Sequence, residues 1–183
     1  MRHKEQLSQA LRKIFWAYIF LYFEINIGTM DLLPAGLGYI FFYQVIRDCL
    51  EKEEESTELL KPICWILIIY RIIEWFMNIF QLPTDIFIIT EMMSVVALYF
   101  HFQLLTNLAN IAHKYNCPVE NTLLGLRTVH TVMMTILTFT VHFKEIEWLS
   151  LMIVVAQVFI MILICYVLSQ FRHMVDNLPE EVF

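Results

Sequence analysis

Apolar residues run along the chain in six long stretches, about 13–28, 32–47, 60–80, 85–111, 126–143 and 147–171. Each is closed by charge, proline or a cluster of polar residues. Stretches of this kind predict membrane-spanning helices. The third, fourth and sixth are long enough to cross alone. At ~1.5 Å per residue the fourth reaches about 40 Å, so it is expected to tilt or to extend beyond the bilayer. The first two are shorter, roughly 23 Å of helix each, and predict a hairpin with a recessed tip. In that tip Gly28 can end one helix, Thr29 or Asp31 can cap the next, and Pro34 is tolerated in a first turn. Gly36 and Gly38 are expected to let a neighbouring backbone approach closely.

Composition narrows this to one solvent. The chain is 59% hydrophobic and 16% charged, against roughly a quarter charged for a soluble domain. The expected fold is therefore all-α: one integral membrane bundle of about six transmembrane helices covering 1–183, with the lipid bilayer as its first partner. The formal charge of −6 comes largely from the loop Asp48 to Glu58 and from Asp176, Glu180 and Glu181. Nucleic acid, which needs the opposite sign, is excluded as a partner. Cys49, Cys64, Cys117 and Cys165 form no C-x-x-C pair and indicate no disulfide framework. Arg12 and Lys13 before the first apolar stretch look like the start of a signal peptide. Glu24 and Asn26 interrupt the run and no small-residue cleavage site follows, so the reading is a retained first span.

Basic residues set the expected orientation. Across six spans, ten of the twelve lysines and arginines fall at the N-terminus, in the second and fourth loops and at the C-terminus. Lys144 alone lies on the other side, and Arg71 lies within a span. Both termini are thus predicted to be cytoplasmic in a cell membrane. The two halves share no repeat, so inverted-repeat transporter logic gets no support.

The segment Phe15 to Tyr43 contains Asn26-Ile27-Gly28, Asp31-Leu32-Leu33-Pro34 and Gly38-Tyr39-Ile40. It resembles the N-terminal hairpin of small uncharacterised polytopic membrane proteins of Gram-positive bacteria. Ala35 and Gly36 stand where that hairpin usually has Asp and Phe, which removes an acidic residue. The resemblance implies a bacterial plasma membrane and no particular activity. Size and topology are also similar to the substrate-binding subunits of energy-coupling-factor vitamin transporters. The Ala-x3-Ala docking motif of that group is missing here, Ala10 and Ala17 being seven apart.

Ionisable residues inside spans cost at least ~2.5–3.5 kcal/mol each near mid-membrane, so Glu24, Arg71, Glu74 and Glu91 are the informative ones. Helix rise puts Glu24 about 16 Å, Arg71 about 15 Å and Glu74 about 20 Å from the cytoplasmic end, with Glu91 about 8 Å from the outer end. Arg71 and Glu74 are three apart and can pair, and Asn78 continues their face. The expectation is that Glu24 or Glu91 joins them in a polar cluster whose surplus negative charge favours a small cationic solute or a proton. The plainer reading is an ion pair that holds helices together.

On the fifth stretch Arg127, Thr131, Thr135, Thr138 and His142 share one face, expected to look inward with Gln157 of the sixth. Their plainer reading is hydroxyls bonded to their own i−4 carbonyls. His101 and His130 lie at similar depth, but two histidines without a placed carboxylate or thiolate make no metal site. Gln103, Asn107, Asn110 and Lys114 read as a solvated helix face, and Glu51 to Glu58 as a solvated loop. No H-E-x-x-H or G-x-S-x-G motif occurs, so no catalytic residue, metal or cofactor is assigned. The leading reading is a binding or transport module for a small solute or cation. The alternative is a non-catalytic structural or regulatory subunit with a protein partner or a second copy of itself.

Overall fold

The computed structural model describes residues 2–22, 26–27, 30–31, 36–80, 87–140 and 147–179. Six helices carry the fold: α1 (Arg2–Tyr22), α2 (Gly36–Val45), α3 (Leu60–Ile79), α4 (Phe87–Lys114), α5 (Glu120–Thr140) and α6 (Glu147–Asn177). A π-helical turn, Ile46–Leu50, prolongs α2 into the short helix Glu51–Glu53, and the 3-10 turn Glu55–Leu59 leads into α3. Between α1 and α2 lies a two-residue antiparallel pair, β1 (Asn26–Ile27) with β2 (Met30–Asp31), which sets Asn26 opposite Asp31. Asp31 belongs to this pair, and residues 32–35, between it and the described start of α2 at Gly36, lie outside the described residues, as does the expected cap. Gly28, Thr29 and Pro34 lie outside the described residues.

Each helix packs on the next in sequence and α6 closes onto α1, so the six form a ring. Neighbours run antiparallel. Lys4 Nζ donates to the Leu178 carbonyl at 2.6 Å and Arg172 Nε to Ser8 Oγ at 3.3 Å, pairing the start of α1 with the end of α6, while Gln157 Nε2 donates to Tyr22 Oη at 3.1 Å and pairs the end of α1 with the first half of α6. The interior of the ring is filled by Ile14, Tyr18, Tyr39, Phe42, Phe100, Leu104, Ile164 and Phe171, all nearly inaccessible.

α1, α4, α5 and α6 each run past at least one end of the apolar stretch that announces them. α1 begins at Arg2 because Leu7, Ala10, Leu11, Ile14, Ala17 and Tyr18 recur at three- and four-residue spacing and are buried, while Glu5, Gln9 and Arg12 are exposed. A run of hydropathy registers only the fully apolar part of such a helix. α4 ends where Asn116 takes φ 52°, with Cys117 N bonded to the Ala112 carbonyl at 2.8 Å and Pro118 following. This left-handed residue closes the last turn, and Asn tolerates it better than most L residues.

Among the described residues, two helical segments, Ile88–Lys114 and Val155–Asn177, are long and apolar enough to cross a membrane. Large apolar side chains are also about half exposed or more on Trp65, Ile69, Ile73 and Phe76 of α3 and on Val129 and Val132 of α5. Gly38 meets α1 closely: a Cβ there would lie 2.8 Å from the Ala17 carbonyl oxygen and 3.3 Å from Leu21. Gly36 needs no such allowance, since its Cβ would meet Ile72 and Arg71 at 3.5 and 3.6 Å, ordinary contact distances.

All four cysteines are free and buried. At Cys49 burial pushes the thiol up to about 12. Because the thiolate is the reactive form, Cys49 is expected to resist N-ethylmaleimide at pH 8 and to react only on unfolding, as read by intact mass. Fast modification of native protein at that position would contradict this packing.

Candidate functional site

Five helices send polar side chains to one point on the ring axis. α1 supplies Tyr18 and Tyr22, α2 Tyr39, α4 His101, α5 His130 and α6 Gln157. The rings of His101 and His130 stand edge to face with centroids 5.5 Å apart, and Tyr18 lies 5.5 Å from His101. Tyr22 Oη is 3.0 Å from His130 Nε2 and 3.1 Å from Gln157 Nε2. The Gln157 amide nitrogen can only donate, so the Tyr22 oxygen accepts from it. The direction of the Tyr22–His130 bond follows the His130 tautomer: Tyr22 donates to an unprotonated Nε2 and accepts from a protonated one.

Four polar atoms of this centre are buried with no hydrogen-bond partner among the described residues: Tyr18 Oη, His101 Nδ1, His130 Nδ1 and Gln157 Oε1. Their side chains are between 0% and 6% exposed, so bulk water does not serve them. Each such group costs about 1–3 kcal/mol, and four in one place call for a physical reason. Among the described residues no group of three or more His, Cys, Asp or Glu side chains is placed to hold a metal ion.

The charged residues singled out in the sequence arrange themselves differently. Arg71 Nη1 donates to Glu74 Oε2 at 2.7 Å, within α3, and the pair is about one-third exposed. Its guanidinium is near enough to Tyr22, Tyr39 and His101 for its field to reach the centre from α3. Glu91 is half-buried on α4, and no ion pair joins it to Arg71 among the described residues. Glu24 and His142 lie outside the described residues, and Asn78 is exposed. The expected surplus of three carboxylates therefore reduces, where the structure describes it, to one carboxylate matched by one guanidinium.

Along α5 the threonines take the plainer role. Thr131, Thr135 and Thr138 donate to the carbonyls of Arg127, Thr131 and Met134 at 2.8, 2.8 and 3.0 Å. The residue aimed most deeply inward is His130, one position round from Thr131. Arg127 instead reaches α4, donating to Thr106 Oγ1 at 3.2 Å above the ring of Phe102. Among the described residues, Gln157 is the predicted one that enters the centre. The tyrosines were hidden by the apolar stretches around them; the four-residue spacing of Tyr18 and Tyr22 is the signal that marks one face.

The supposed solvated surfaces at the other end are a clamp. Glu53 has a fully buried side chain, 2.8 Å from Lys114 Nζ, 3.0 Å from Tyr115 Oη and 3.1 Å from His3 Nδ1. Burial and the bond to Glu53 push the Tyr115 hydroxyl well above its ordinary range. Asn107, at 0% exposure, is bonded to Ser56 Oγ at 2.8 Å and Thr57 Oγ1 at 3.0 Å, whichever way its amide is turned. The acidic loop is thus fastened onto α4, and the stripe on α4 that reads as solvated is what fastens it.

No protein-family model matches the chain, and neither does any curated protein or solved structure.

Proposed function

We propose that this chain is a multi-pass protein of a bacterial plasma membrane whose six-helix ring binds a small polar solute at the Tyr22–His130–Gln157 centre. The observation that carries the reading is the group of four buried polar atoms on the ring axis that have no hydrogen-bond partner among the described residues. They mix donors with acceptors, which suits an uncharged or weakly acidic solute. Arg71 nearby and the balanced Arg71–Glu74 pair argue against a cation. Support for six spans comes from the apolar side chains exposed around α3, α4, α5 and α6, which a bilayer would cover. The concentration of basic residues at one end supports cytoplasmic termini.

Native mass spectrometry of the gently solubilised chain tests the binding reading. The wild type is expected to release a bound small molecule that Gln157→Leu and His130→Leu no longer retain. Tyr18→Phe removes a hydroxyl without a partner and is expected to raise stability of the solute-free protein by about 1–2 kcal/mol. No adduct in the wild type, with apolar variants that merely gain stability, would replace this reading by the structural-subunit one. For topology, a cysteine at Thr84 should react with an impermeant maleimide in intact cells, and one at Glu58 only after permeabilisation. The reverse result would invert the orientation.

A further inference from the structure

The seam between α1 and α6 holds two adjoining cavities of about 360 and 330 Å3. Both are lined by Arg12 and Arg172, and beyond those arginines they differ. One is polar, walled by Lys4, Glu5, Ser8, Gln9 and Asp176. The other is walled mainly by Leu11, Phe15, Trp16 and Leu168, with Ser169 at its edge. Moving along α1 from residues 4–9 to residues 11–16 therefore passes from a polar wall to an apolar one within about 10 Å, with two guanidinium groups at the boundary.

The cations there are incompletely matched. Lys4 is committed to the Leu178 carbonyl at 2.6 Å, and Arg172 Nε sits 3.3 Å from Ser8 Oγ and 3.7 Å from Asp176. Arg12 is exposed and has no ion pair among the described residues. Glu5 is the other carboxylate in the polar half. Trp16, 49% exposed, stands below Arg12 on the apolar side, where an amphipathic ring marks a membrane–water boundary. A soluble phosphate ester would use only the polar half of this seam. An anionic headgroup with hydrocarbon attached uses both.

We propose that the Arg12–Arg172 seam binds an anionic glycerophospholipid of the cytoplasmic leaflet. Its phosphate lies between the two guanidinium groups and one acyl chain lies along Leu11, Phe15, Trp16 and Leu168. This rests on the membrane placement proposed above and is independent of the solute centre.

The test is native mass spectrometry of the full chain in detergent, titrated separately with phosphatidylglycerol, phosphatidylcholine of the same acyl chains, and glycerol 3-phosphate. Phosphatidylglycerol is expected to bind at least about fivefold tighter than phosphatidylcholine, and Arg12→Gln and Arg172→Gln are each expected to weaken it about fivefold. Arg172→Lys should keep most of the affinity. Ser169→Trp, which narrows the apolar half from an exposed position, should lower it with both arginines intact. Arg47→Gln, whose guanidinium pairs with Asp48 at the end of α2, should leave it unchanged. Equal binding of the two lipids, an equal loss in Arg47→Gln, or full binding of glycerol 3-phosphate alone would each overturn the proposal. Cell fractionation separates the failures: a chain absent from the membrane fraction sinks the placement, whereas a membrane-resident chain without lipid preference sinks this site alone.

Discussion

Gly38→Leu is expected to abolish recovery of folded protein, and Gly38→Ala to cost about 1–3 kcal/mol, the ordinary penalty for overfilling a packed contact. The cause is local. A Cβ at Gly38 would sit 2.8 Å from the Ala17 carbonyl oxygen, a backbone atom that cannot rotate away, so α1 and α2 must separate. That separation would disturb Tyr18, whose ring packs edge-on against Phe42 at 5.1 Å just across the same interface. Gly36→Ala is the control with the opposite expectation, neutral to slightly stabilising, because its Cβ meets only ordinary contacts and removes a flexible residue from a helix. Thermal unfolding in one detergent measures all three. Equal effects at the two glycines would remove the close approach as the cause.

Asn107→Leu is expected to cost about 2–4 kcal/mol, because it leaves Ser56 and Thr57 without their shared partner and forces an apolar group of different shape into a fully buried site. The loss should be local before it is global. The turn Glu55–Leu59 is expected to become a site of limited proteolysis while the ring stays folded, since the neighbouring tether, Glu53 with Lys114, Tyr115 and His3, lies before the turn and does not hold it. Asn110→Leu, on the exposed side of the same helix, should change stability by less than about 0.5 kcal/mol. Protease cutting mapped by mass, beside the melting curve, distinguishes the two positions. An Asn107→Leu protein as resistant and as stable as the wild type would return this stripe to the solvated surface it resembles in sequence.

The contrast between Asn107 and Asn110 shows why sequence patterns locate helices better than sites. Both residues are polar, and both lie in the spacing Gln103, Asn107, Asn110, Lys114 that predicts one wetted face. Period alone cannot say what covers that face. Here the covering segment is the acidic loop, and its Glu53, which reads as one more solvated charge, is the buried anchor. The same limit applies to the centre. Tyr22 and His130 are 108 positions apart, and Tyr22 and Gln157 are 135 apart, so no local pattern links them. On α5 the threonine stripe predicts an inward face one residue away from the true one, and that rotation of about 100° exchanges Thr131 for His130.

The sequence by itself determined that the chain is helical, where five of its apolar stretches become helices to within a few residues at most ends, that Gly38 permits a close approach, and that the basic residues gather at one end. These follow from hydropathy, helical period and the lack of a side chain, all of which act over a few residues. Only the tertiary structure decided that five helices aim tyrosine, histidine and glutamine at one axis, and that the acidic loop is docked. The physical reason is that the rotation and register of each helix are set by packing against two neighbours at once around a closed ring. Which polar groups meet is a property of all six interfaces together, and no single segment carries it.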